Sequence, residues 1–146
     1  MLFGQGSRRE ARERALELLY ESELKDQPVS QILGELPVAP QPYAAILARG
    51  LEEHRPRIDG LISAHAIDWS LERMPVVDRA LLRMATFELG WCPDVPTSVV
   101  ISEAVELAKS YSTDDSGGFV NGMLATISKE LRPGEPAPPA EPDGPV

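Results

Sequence analysis

Apolar residues recur at spacings of three and four along most of this chain, and nowhere do they alternate with polar ones over the length of a strand. Ala11, Ala15, Leu18 and Leu19 make one stripe of a helix expected from Arg8 to about Leu24, with Ser7 placed to cap it. Lys25-Asp26-Gln27-Pro28 reads as a turn. A short helix from about Ser30 to Leu36 follows, with Ile32, Leu33 and Leu36 apolar. Pro37, Pro40 and Pro42 stiffen the next connection, and Pro42 suits the first turn of a helix reaching about His54. Its apolar face carries Tyr43, Ile46, Leu47, Gly50 and Leu51. Pro56 should end or kink that helix. Ile58, Leu61, Ile62 and His65 continue a stripe to about Ala66.

Trp69 to Pro75 reads as a short capped turn. The helix predicted from Pro75 to about Gly90 is apolar almost all round, through Val76, Val77, Ala80, Leu81, Leu82, Met84, Ala85, Phe87 and Leu89. Such a helix belongs in the middle of a bundle. Arg79, Arg83 and Glu88 are its polar exceptions, which either reach solvent by snorkelling or pair locally, or else meet a groove or partner. A loop from Trp91 to Pro96 leads to a helix whose face holds Ile101, Ala104, Val105, Ala108 and Tyr111, with Thr97 or Ser98 as its cap. Thr113, Asp114, Asp115 and Ser116 are all suited to cap a last helix carrying Phe119, Val120, Met123, Leu124 and Ile127. Asn121-Gly122 is a hairpin signal. The helical period runs through it, so Gly122 is expected at a close helix–helix contact. A mid-helix glycine costs about 1 kcal/mol relative to alanine.

The expectation is an all-α bundle of about seven helices. Residues 1–132 form one domain, divisible into halves of about 1–66 and 67–132. Residues 1–6 are a short mobile lead. The tail 133–146 is Pro-rich and acidic, with too little apolar area to order itself. A chain of 146 residues with 42% hydrophobic content can build a real core. The single cysteine, Cys92, excludes an intramolecular disulfide and suits a reducing compartment. No apolar run approaches the length of a membrane span and no leader-like segment opens the chain, so a cytoplasmic location is expected.

The net charge of −9 argues against bulk attraction to nucleic acid. Its distribution is uneven, because four of the 14 basic residues lie between Arg8 and Arg14. Two readings stand for this run. Arg9 with Glu13, and Glu10 with Arg14, form i,i+4 pairs of a solvated face, each worth ~0.2–0.5 kcal/mol. Alternatively Arg8 and Arg12, which have no acidic i+4 neighbour, contact phosphates. Catalytic signatures are absent: there is no phosphate loop, no G-x-G-x-x-G and no G-x-S-x-G. His54 and His65 lack ligands at metal-site spacing, Cys92 lacks a local activator, and capping explains Asp114-Asp115 better than a catalytic pair does. Neither an enzyme nor a cofactor is expected.

Five motifs then follow one another between residues 8 and about 131. They are Arg8-Arg9-Glu10-Ala11-Arg12-Glu13-Arg14-Ala15 through Leu19-Tyr20; Val77-Asp78-Arg79-Ala80-Leu81-Leu82-Arg83 through Glu88-Leu89; Val95-Pro96; Glu103-Ala104-Val105-Glu106-Leu107-Ala108-Lys109; and Phe119-Val120-Asn121-Gly122. In this order they resemble the NusB family of bacterial transcription antitermination factors. The resemblance implies an all-α fold of two three-helix-like halves. It also implies binding to the boxA element of nascent ribosomal RNA, jointly with the small-subunit ribosomal protein that doubles as NusE, within an RNA polymerase antitermination complex. Arg8, Arg9 and Arg12 would then contact phosphates. Tyr20, Arg83, Tyr111, Asp115 and Phe119 would face RNA, and Glu88 would contact the ribosomal protein. Glu10 and Glu13 interrupt the basic run and imply weaker RNA binding without that partner. Some family members self-associate, so a homodimer is a further expectation. Two other readings remain. One is a helical adaptor or homodimer without an RNA role. The other is the RNA-binding module of ribosomal RNA cytosine methyltransferases, which would need a catalytic domain after residue 132.

Overall fold

The computed structural model describes residues 5–135, with side chains from Arg8 onward. Among these residues there are seven α-helices and no strand: α1 (Gln5–Lys25), α2 (Val29–Glu35), α3 (Pro42–Glu53), α4 (Arg55–His65), α5 (Val76–Trp91), α6 (Thr97–Tyr111) and α7 (Asp114–Leu131). A 3-10 turn, Leu71–Arg73, links α4 to α5. The expected lead before Gln5 and the tail after Glu135 lie outside the described residues. No described helix is long and apolar enough to cross a membrane.

Helix α5 is the axis. It packs against α1, α3, α4, α6 and α7, which is why every residue from Ala80 to Leu89 is buried. Around it, Leu18, Leu47, Leu51, Ile58, Ile62, Leu81, Leu82, Leu124 and Ile127 are completely enclosed. Helices α6 and α7 are joined only by Ser112 and Thr113, so they fold back on one another. Pro56 both ends α3 and occupies the first turn of α4, where its missing N–H leaves no bond unmade. A guanidinium locks the far end of the molecule. Arg132 donates to the carbonyls of Leu89, Val95 and Cys92 at 2.8–3.0 Å and to Thr97 Oγ1 at 2.9 Å. It thereby places a cation on the carbonyls at and just beyond the C-terminal end of α5.

Several expectations are corrected. Ser7 lies inside α1, which begins two residues earlier. Thr97 is the first residue of α6 and no side chain caps that helix. Ile46 is half exposed rather than on the buried face of α3. Gly122 is exposed, and a Cβ added there would meet nothing within 4 Å. The close approach is at Gly50 instead, where an added Cβ would fall 2.1 Å from Phe87 Cζ.

Candidate functional site

The three arginines that open α1 meet three different fates. Arg12 points inward. Its Nε lies 3.0 and 3.2 Å from the two carboxylate oxygens of Glu88, and its Nη2 lies 2.9 Å from Oε2. Both side chains are buried, at 3% and 1% exposure. Tyr43 on α3 donates its hydroxyl to Glu88 Oε2 at 2.6 Å. Burial first, then the charge of Glu88 that its hydroxyl meets, push the Tyr43 phenol far above its ordinary range. Arg8 lies over the Tyr43 ring, 3.8 Å from its centroid. A charged pair survives in such an interior only when its donors and acceptors are paired, and here they are.

Arg9 points outward along the seam between α1 and α6. Its Nε and Nη2 donate to the two oxygens of Glu103, at 3.0 and 2.6 Å. The hydrogen bond from Arg9 holds the Glu103 carboxyl below its ordinary value, against partial burial. Further along the seam, Tyr111 donates to Glu13 Oε2 at 2.9 Å. Tyr20 and Tyr111 remain 40% and 46% exposed. With Leu16, Glu17 and Val77 they line an open hollow of about 280 Å³.

The corner between α6 and α7 is built around Asp78 of α5. This carboxylate is buried and accepts from Ser112 Oγ at 2.7 Å and Ser116 Oγ at 2.9 Å. Thr113 caps α7 by accepting from the Ser116 N–H at 3.2 Å, as its place in the sequence predicts. The corner is thus held from beneath, leaving Tyr111 exposed just before it and Asp115 exposed in the first turn of α7. One turn on, the half-buried Phe119 ring meets Trp69 edge-on, with centroids 5.1 Å apart. Among the described residues no group of histidine, cysteine or carboxylate side chains could hold a metal ion.

The family model described as the NusB family matches residues 9–129. The chain belongs to the NusB family. It is 46% identical over 129 residues to the transcription antitermination protein NusB of Thermobifida fusca, covering 86% of this chain and 91% of that one. Its fold is similar to a NusB structure from T. maritima, with TM-score 0.79, 42% identity and coverage of 86% and 93% of the two chains. It is also similar to a chain in a crystal structure of the antitermination factors NusB and NusE in complex with double-stranded RNA. There the TM-score is 0.74 and the identity 28%, with coverage of 86% of this chain and 98% of that one.

Against this NusB framework the expected site residues separate. Arg9, Tyr20 and Tyr111 lie along the α1–α6 side, with Arg9 on Glu103, whereas Arg8 sits over Tyr43 of α3. Asp115 sits at the exposed corner, and Phe119 turns toward Trp69 beside the 3-10 turn. Arg12 and Glu88, expected at phosphate and protein contacts, are here buried against each other. Arg83, expected to face RNA, is also withdrawn from the surface. It is 8% exposed and its guanidinium is taken up by Asp59 at 2.8 and 3.2 Å and by Glu23 at 3.6 Å, on the α4 side of α5. Sequence reading missed Asp78, Tyr43, Glu103 and Trp69. Asp78 left a usable signal, since a carboxylate within an otherwise apolar helix demands buried donors.

Proposed function

We propose that this NusB family member is a non-catalytic, cytoplasmic transcription antitermination factor. It binds boxA RNA of nascent ribosomal transcripts together with the ribosomal protein that serves as NusE, and so joins an RNA polymerase antitermination complex. The observation that carries this reading is the family match across residues 9–129, on a fold shared with a NusB that crystallised with NusE and RNA.

The side chains supply a mechanism. Single-stranded RNA is held by cations along its backbone and by bases stacked on aromatic rings, each stack worth ~1–3 kcal/mol. Arg8 and Arg9 provide the cations, and the open faces of Tyr20 and Tyr111 provide stacking surface. Asp115 can accept from a base amino group while repelling phosphate, which favours bases presented edge-on. Phe119 extends the aromatic surface past the corner. Arg12, Glu88 and Arg83 act from the interior, by fixing α1 and α5. With a net charge of −9 the chain binds RNA weakly alone, so the ribosomal protein contributes much of the affinity.

The test is a titration of boxA RNA and a scrambled strand, with and without the ribosomal protein, at several salt concentrations. The expected result is preference for boxA, tighter binding with the partner and a steep loss of affinity with salt. Equal binding of both strands in every condition would overturn the proposal.

A further inference from the structure

We propose that Glu103 sets the RNA affinity of the α1–α6 seam by occupying the edge of Arg9 that a phosphate would use. This rests on the RNA-binding reading above and adds a competing group within the site. The Nε–Nη2 edge of a guanidinium bonds a carboxylate or a phosphate with the same two parallel donors. In the free protein Glu103 takes both, at 3.0 and 2.6 Å. The Arg9 side chain is nevertheless 60% exposed, so the guanidinium stands within reach of a phosphate arriving from solvent.

The geometry also makes the exchange feasible. Glu103 does not lose its only cation when Arg9 turns away, because Arg12 Nη1 stays 3.8 Å from Oε1. Arg12 cannot follow, since Glu88 holds it in the interior. RNA therefore competes for one arginine of the pair and leaves the other as the standing partner of Glu103. Tyr111 repeats the arrangement, with its hydroxyl on Glu13 at 2.9 Å. The acidic groups crossing this seam are ligands of the RNA-facing donors, and free binding is weakened by the need to displace them.

The experiment uses the full chain and a boxA RNA oligonucleotide at fixed low salt, with melting curves to confirm folding. Glu103→Gln removes the charge while keeping the shape, and affinity should rise roughly two- to fivefold, the range set by one exposed ion pair. In an Arg9→Ala background the same substitution should give no rise. Glu106→Gln, an equal charge change one turn along α6, should give a smaller rise than Glu103→Gln. Glu103→Asp, which shortens the carboxylate's reach with its charge intact, should give a rise as well. Unchanged or weaker binding by Glu103→Gln overturns the inference. So does a rise that persists without Arg9, or one that Glu106→Gln reproduces in full, since either would report the general field of the surface. Failure of the parent protein to bind boxA RNA with or without the ribosomal protein would overturn the functional reading itself, a result distinct from the others.

Discussion

Arg9 and Arg12 stand one turn apart on α1, each bonded to a glutamate by two parallel donors, yet the two pairs are different objects. Arg12 and Glu88 are sealed between α1, α3 and α5, with Tyr43 as a third partner. Arg9 and Glu103 lie on the outer seam, where water reaches the guanidinium. In the interior a charge left without its partner has no solvent to turn to, so the pair acts as a register pin for three helices. On the seam the same chemistry is exchangeable, because water can replace either partner, and a phosphate can replace the glutamate, at little net loss. The arginine-rich start of α1 therefore divides into an arginine that builds the fold and arginines that reach solvent.

The largest test of this division is to break the buried pair. Arg12→Ala or Glu88→Ala leaves an unpaired charge in the core and should cost about 3–5 kcal/mol in denaturant unfolding. Replacing both, as Arg12→Met with Glu88→Leu, should recover most of that loss and leave RNA binding by the folded protein close to the parent's. If either single variant unfolds at the parent midpoint, the interior is wet and the comparison fails. A smaller loss tests whether the wall of this interior can yield. Gly50→Ala drives a methyl into Phe87, whose ring stacks in turn near Trp91 and His54. Overpacking of this kind should cost about 1–3 kcal/mol. A neutral result would mean that α3 can shift and that Tyr43 is not rigidly held over Glu88.

Much of this fold is legible in the chain because burial periodicity is a local property. The stripes through Leu18, Leu47, Ile62, Leu81 and Leu124 are each read within one helix. The Thr113 cap was equally readable, since its acceptor and donor are three residues apart. The partners of the arginines were not, because Arg12 meets a carboxylate 76 residues away and Arg9 one 94 residues away. Local spacing alone is compatible with both solvated i,i+4 pairing and phosphate contact. The exposure of Gly122 is also legible in the helical phase. This glycine lies about 200° around the helix from Val120, outside the stripe that Val120, Leu124 and Ile127 define. Gly50 shared the stripe of Leu47 and Leu51, and only the identity of its neighbour, Phe87 of α5, lay beyond the local pattern.

Gly122→Ala should act with the opposite sign. With open space around it and an ordinary helical backbone, an added methyl should stabilise the protein by up to about 1 kcal/mol. RNA affinity measured on the same variant reports whether the outer face of α7 lies within the interface. A stability loss would mean that the face is covered in solution, and a sizing experiment would then show whether a second copy covers it.

The smallest effect separates the two pairs by pH. The Glu103 carboxyl is held below its ordinary value of 4.5, first by the hydrogen bond from Arg9 and then by the charges of Arg9 and Arg12. The unfolded chain therefore takes up this proton first as pH falls. The stability Glu103 contributes is complete above about pH 4.5 and is lost as pH drops through its folded value. Arg9→Ala removes the larger part of that contribution and leaves Arg12 in place. Unfolding midpoints of the parent and Arg9→Ala should therefore differ slightly near neutral pH and converge below pH 4.5. High salt should shrink the difference, because the seam is exposed and screened. Curves that stay apart in acid would show that Arg9 stabilises α1 by packing rather than by charge, and the seam would then resemble the interior it is contrasted with.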